Sequence, residues 1–250
     1  MTKIAARFLA LTFAIVVVCW GLCVVCGLCG VTFETMPLLR IPYLLGGWSP
    51  TIASYAVLRR SGRVGSLREW LGTVFAFRQS WQGYALVALF GVLYILPQCL
   101  MGERGEGAPL FLLPVLVAMM LPMCGLEEAG WRYVLQPELE KKLPFVPVVL
   151  LMALVWWLWH LPLFFIPETG QAGTDYGLFG LMVLGLSFAL AAIYRRTGSV
   201  WLCVLFHCLD NALTAVFPTR YSLTAALITA ALLTVAGLAV AYWPKKNQLT

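Results

Sequence analysis

Charge is what this sequence has least of. Asp, Glu, Lys and Arg make up 11% of its 250 residues, against about 25% in soluble globular chains, which excludes a water-soluble domain. Histidine is scarcer still, with His160 and His207 the only two. No polar linker, charge run or low-complexity tract is long enough to divide the chain, so residues 1–250 are read as a single membrane domain. A disulfide framework is missing as well. All eight cysteines lie in apolar segments, where thiols act as small packing residues, and that is how the regular spacing of Cys23, Cys26 and Cys29 is read.

What remains is apolar. The chain is 61% hydrophobic with a mean hydropathy of +0.87, and its apolar residues fall into blocks near the roughly 20 residues needed to cross a hydrocarbon core. Eight spans are expected, at about 8–30, 41–58, 82–100, 109–136, 144–166, 177–194, 199–217 and 222–243. The fold class is therefore all-α, a polytopic helical bundle, multi-pass in the cell membrane. Lys and Arg are retained on the cytoplasmic side. With an inward N-terminus, that side holds thirteen basic residues: Lys3, Arg7, Arg59, Arg60, Arg63, Arg68, Arg78, Lys141, Lys142, Arg195, Arg196, Lys245 and Lys246. The outer loops hold three, Arg40, Arg104 and Arg220, and Arg132 is left inside a span. This predicts N-in, C-in topology and assigns the net charge of +6 to topology and attraction to anionic lipid, with no nucleic-acid partner.

Lys3 and Arg7 before a long apolar run resemble an uncleaved signal anchor. Within 59–81, Leu67, Trp70, Leu71 and Val74 recur at helical spacing beside Arg63, Arg68 and Arg78, which suggests a short amphipathic helix on the cytoplasmic face. The loop from Pro167 to Tyr176 is the candidate lid.

Charged residues inside spans are costly, so function is the default reading for each. The fourth span carries Glu127, Glu128 and Arg132 in LEEAGWRYVLQP. On a regular helix Glu128 and Arg132 are roughly 40° apart and Glu127 and Arg132 roughly 140°. Glu128 is thus the ion-pair partner of Arg132, and Glu127 is free to accept a proton. The plainer alternative is one buried electrostatic clasp of all three. The fifth span ends VWWLWHLPLFF, with His160 one turn beyond Trp156 and Pro162 positioned to bend or end the helix. The seventh holds LFHCLDNAL, where His207 and Asn211 share a face and Asp210 lies about 60° round from His207.

A base, two imidazoles and an amide donor form the inventory of peptide-bond hydrolysis. Glu127 as general base, with His160, would hold and polarise a water, while His207 and Asn211 donate to the oxyanion. An alternative chemistry uses Glu127, His160 and His207 as a His2Glu set for a catalytic zinc, though no HExxH helix is present. One difficulty concerns depth. Counted from Pro137 and Pro144 at 1.5 Å per residue, Glu127 lies about 15 Å deep and His160 about 24 Å.

Together these residues resemble the CPBP family of intramembrane proteases (CAAX protease and bacteriocin-processing, also called Abi), related to the type 2 CAAX prenyl endopeptidase. The family's EExxxR is matched by Glu127, Glu128 and Arg132, its aromatic-xxx-His by Trp156 and His160, and its HxxxN by His207 and Asn211. The likeness covers about 109–217, the expected catalytic core, including the basic turn RRTGSVW at 195–201. Trp156 replaces the commoner Phe, and Tyr133 stands where a Gly often follows the Arg. The resemblance implies that Glu127, His160, His207 and Asn211 are catalytic, with Glu128, Arg132 and Trp156 in support. It also allows a prenylated C-terminus, a bacteriocin leader or a membrane-embedded peptide as substrate and leaves zinc open, while the aromatic surroundings of Trp156, Trp157, Trp159, Phe164 and Phe165 suggest a hydrophobic or lipidated one. A proton-coupled transporter and a non-catalytic immunity or scaffold protein are the alternatives, the former weakened by the lack of an internal repeat.

Overall fold

In the computed structural model, residues 1–220 and 222–244 are described; Lys245 and Lys246, counted among the basic residues above, lie outside them. Polar residues punctuate the apolar sequence and start its helices. Thr2, Ser66, Ser80, Asp175, Ser199 and Ser222 each accept a backbone N–H three residues on, satisfying donors that an apolar residue there would leave bare. The helices so begun are α1 (Lys3–Leu28), α4 (Leu67–Val74), α5 (Trp81–Met101), α10 (Tyr176–Thr197), α11 (Val200–Val216) and α12 (Leu223–Tyr242). Gly198, with φ of 68°, stops α10 in the left-handed conformation that suits glycine.

Among the described residues, five helices are long and apolar enough to cross a membrane: Lys3–Leu28, Trp81–Met101, Phe145–Phe165, Tyr176–Thr197 and Leu223–Tyr242. A sixth crossing is reached if Leu110–Met123 and Gly125–Glu140, bent by 47°, are one span. Two expected spans take other forms. Residues 41–58 form two short helices, α2 (Arg40–Gly47) and α3 (Ser49–Arg60), with Trp48 between them. Pro50, in the first turn of α3, lacks the N–H that would continue the ladder to Gly46. Gly46 itself lies under Trp20, where a Cβ would fall 2.2 Å from the indole nitrogen. The seventh expected span is α11, whose 17 residues extend about 25 Å against a hydrocarbon core of about 30 Å. It packs on α5, α10 and α6 (Leu113–Met123) and is buried along much of its length, a core helix with little lipid-facing surface.

Contacts at the helix ends show how the chain is strung. Glu138, near the end of α8 (Gln136–Glu140), accepts from the Thr2 hydroxyl, pairs with Arg63 at 2.6 Å and also pairs with Lys141. Arg195 lies 3.8 Å from Glu140, and Arg196 donates to the Trp243 carbonyl at 3.1 Å. The starts of α1 and α4 and the ends of α8, α10 and α12 therefore share one end of the bundle. At the other, β1 (Glu103–Arg104) pairs antiparallel with β2 (Thr219–Arg220), and the Phe33 amide donates to Glu168. This two-residue ladder is the only sheet among the described residues, and the remaining architecture is helical.

The amphipathic helix expected within 59–81 is α4. Its apolar residues are divided between two surroundings: Trp70 and Val74 are buried, the Trp70 indole donating to Ser54, whereas Leu67 and Leu71 are exposed.

Candidate active site

The fourth expected span holds the irregular backbone on which the site is built. After α6 the chain turns at Cys124 and runs through a 3-10 turn at Gly125–Glu127, α7 (Glu128–Gly130), a π-helical turn at Trp131–Leu135, and α8. A break of this kind is tolerated in a membrane protein only where other groups satisfy the freed carbonyls. The Trp48 indole donates to Pro122 O at 2.6 Å and the Thr51 hydroxyl to Leu126 O at 2.8 Å. Two glycines let this segment fit. A Cβ on Gly125 would lie 2.3 Å from Cys208 Sγ, and one on Gly130 would lie 2.6 Å from Pro50 Cβ.

The depth mismatch is absent from the fold, where Trp156 contacts both Glu127 and His160. The rise count took residues 127–137 for regular α-helix within a single continuous span, whereas 3-10, α and π turns follow one another and the axis bends. Glu127, His160, His207 and Asn211 all line one cavity of about 360 Å³.

Glu128 and Arg132 form the expected pair, Nε to Oε2 at 2.8 Å, both buried. Glu128 does more than the spacing showed, since its Oε1 lies 3.0 Å from His207 Nδ1. It is a bridge between α11 and the π-helical turn, with each oxygen committed to one partner. Glu127 is held differently. Its Oε2 accepts from the indoles of Trp156, at 3.0 Å, and Trp131, at 3.4 Å, which leaves Oε1 for another partner. The separation of roles between adjacent glutamates expected from helix geometry is present, on a backbone that is not a regular helix.

His160 is the last residue of α9 (Phe145–His160), and a 3-10 turn, Leu161–Phe165, follows at Pro162 as expected. Its Nδ1 lies 2.8 Å from Trp156 O. A carbonyl only accepts, so Nδ1 carries the hydrogen and the neutral ring keeps its lone pair on Nε2. Trp159 and Phe179 press edge-on against the imidazole, with centroids 4.7 and 4.9 Å away. Trp156 thus links two site residues, its indole holding Glu127 and its carbonyl holding His160.

Asn211 is less free than expected. Its Nδ2 donates to His207 O and to Asp210 Oδ1, both at 3.1 Å, which uses both amide hydrogens. Asp210, buried and lining the same cavity, also accepts from the Asn211 backbone N–H at 2.8 Å. Asp210 and Trp131 join the site beyond the residues expected from the sequence. Asp210 carried the same signal as its neighbours, a carboxylate inside a span; nothing in the sequence set Trp131 apart from the other tryptophans.

Gly170, Gln171 and Thr174 reach the cavity from the loop expected to act as a lid. That loop is tied down by the Phe33–Glu168 hydrogen bond and by Thr169 Oγ1 on Leu163 O at 2.8 Å. Among the described residues no three of His, Cys, Asp and Glu are grouped to hold a metal ion. Glu127, His160 and His207 are not in any such group, and no step below is routed through a metal.

Residues 108–213 match the family described as type II CAAX prenyl endopeptidase Rce1-like. The match supports a CPBP/CAAX protease assignment for this segment. No curated protein matches the chain. The matched residues run from just before α6 into α11 and include Glu127, His160, His207, Asp210 and Asn211, whereas Trp20, Tyr43, Tyr94 and Thr214 of the cavity wall lie outside them.

Proposed function

We propose that this protein is an intramembrane endopeptidase that hydrolyses a peptide bond of a hydrophobic or lipidated substrate with a water activated by Glu127 and His160. The bundle crosses the cell membrane eight times with both termini cytoplasmic, the short α2–α3 pair and α11 being the two reduced crossings. The observation that carries the reading is the convergence of Glu127, His160, His207 and Asn211, from three separate stretches of chain, on one cavity.

Each group has an assignable task. Water donates one hydrogen to Glu127 Oε1 and the other to His160 Nε2, the two acceptors left free after the protein's own hydrogen bonds. As the water oxygen bonds to the substrate carbonyl carbon, its proton passes to Glu127. The carbonyl oxygen becomes an oxyanion, and His207 Nε2 donates to it. With Nδ1 already directed at Glu128, that second donation requires a doubly protonated ring, and the Glu128 carboxylate supplies the opposing charge. Asn211 joins by exchanging its hydrogen bond to Asp210 or to His207 O for one to the oxyanion. Glu127 then returns the proton to the leaving nitrogen as the C–N bond breaks. Met120, Met123, Phe179 and Met182 in the same wall give an apolar chain its place.

The test is cleavage of a hydrophobic peptide library by purified, lipid-reconstituted protein beside Glu127→Gln, His160→Ala and His207→Ala. Loss of the base should lower turnover by about 10² to 10⁴, and loss of an oxyanion donor by about 10² to 10³. Cleavage that survives all three substitutions would end the proposal.

A further inference from the structure

A second cavity, of about 820 Å³, opens at the end of the bundle that carries Glu138, between the first turns of α5 and the last turns of α10 and α12. Its composition changes along its length. The polar end holds Gln82 and Arg196, and the wall below is apolar, formed by Leu86, Leu89 and Val240. From Gln82 to Leu89 the helix rises about 10 Å, so the polar-to-apolar change runs along the helix axis, as it does from headgroup to acyl chain. Trp81 and Trp243 stand at the same level with 74% and 68% of their surface exposed, where amphipathic indoles settle at a headgroup boundary.

The two arginines of the RRTGSVW turn have separate fates. Arg195 approaches Glu140 and lies over the rings of Phe145 and Tyr242 at 5.0 and 5.6 Å. Arg196 has no carboxylate partner among the described residues. One nitrogen donates to the Trp243 carbonyl, and the rest of the guanidinium fork remains for a planar, bidentate acceptor such as a phosphate.

We propose that this groove binds one anionic phospholipid, its phosphate on Arg196 and an acyl chain along Leu86, Leu89 and Val240. The proposal rests on the membrane embedding of the bundle and is independent of the peptidase reading, because the groove shares no lining residue with the active-site cavity. The site is a lipid site in particular because the cation and the apolar wall are one continuous surface; a free anion would use only the first.

The experiment is native mass spectrometry of the full chain in neutral detergent, titrated with phosphatidylglycerol or with phosphatidylcholine of the same acyl chains. One phosphatidylglycerol should be retained in preference to phosphatidylcholine. Arg196→Gln should cut that preference about fivefold, Arg196→Lys, which keeps the charge but not the fork, should restore part of it, and Leu86→Trp should reduce retention of both lipids by filling the wall. Glycerol phosphate in excess should not displace the lipid. Equal phosphatidylglycerol retention by wild type and Arg196→Gln overturns the proposal, as does displacement by glycerol phosphate, which marks a site for the anion alone. Failure of Arg196→Lys to restore any of the preference assigns the loss to altered folding and overturns it too.

Discussion

Glu127 and Glu128 differ in nothing but position, and their oxygens decide what each does. Both Glu128 oxygens are taken, by Arg132 and His207, while Glu127 keeps one free. Glu128→Gln removes the carboxylate paired with the buried Arg132 guanidinium, which costs about 3 to 5 kcal/mol. It should appear as a lowered thermal midpoint in detergent together with lost cleavage, whereas Glu127→Gln loses cleavage at an unchanged midpoint. Equal midpoints for the two variants would contradict the division of roles. A chelator at millimolar concentration should leave cleavage by the wild type unchanged, since the donors are not grouped for a metal; loss of activity restored by added zinc would reverse that. Of these contacts, the Glu128–Arg132 pair was legible from its spacing of four residues. The Glu128–His207 bond joins residues 79 apart and the Trp156–Glu127 bond residues 29 apart. No local period encodes either.

At the scale of elements, the starts of α5, α10, α11 and α12 were legible where the apolar runs begin, and each carries a polar cap there. The breaks were less so, because hydropathy counts apolar residues whether or not the axis through them is straight. The turn at Cys124 depends on side chains arriving from α3 and its flank, and on Gly125 fitting beside Cys208. Gly125→Ala brings a methyl group to 2.3 Å from Cys208 Sγ, forcing a separation that costs about 1 to 3 kcal/mol and draws Glu127 away from α11. Cleavage should fall. Adding Cys208→Ala removes the clashing sulfur and should recover part of both stability and activity. A double variant no better than Gly125→Ala would show that the tight approach is not what places the site.

At the scale of the whole molecule, the basic residues predicted one sidedness and the contacts show one end: Thr2, Arg63, Glu138, Arg195 and Trp243 lie together. A chain that begins and ends at the same end of a bundle has made an even number of passages. Reporter fusions at the two termini should therefore report the same compartment, and opposite readings would refute the proposed topology. The lengths of individual crossings were the illegible part, since α2 and α3 replace one expected span with two short pieces.

The cluster on Glu138 also imposes an order in time. The Thr2 hydroxyl is synthesised before the carboxylate it meets, which lies 136 residues later. At about 5 to 20 residues per second, synthesis keeps the two apart for about 7 to 27 s. During that interval α1 can pack against α2 and α3, but its first residues wait in the bilayer for the segment that follows the two glutamates before they can be fastened.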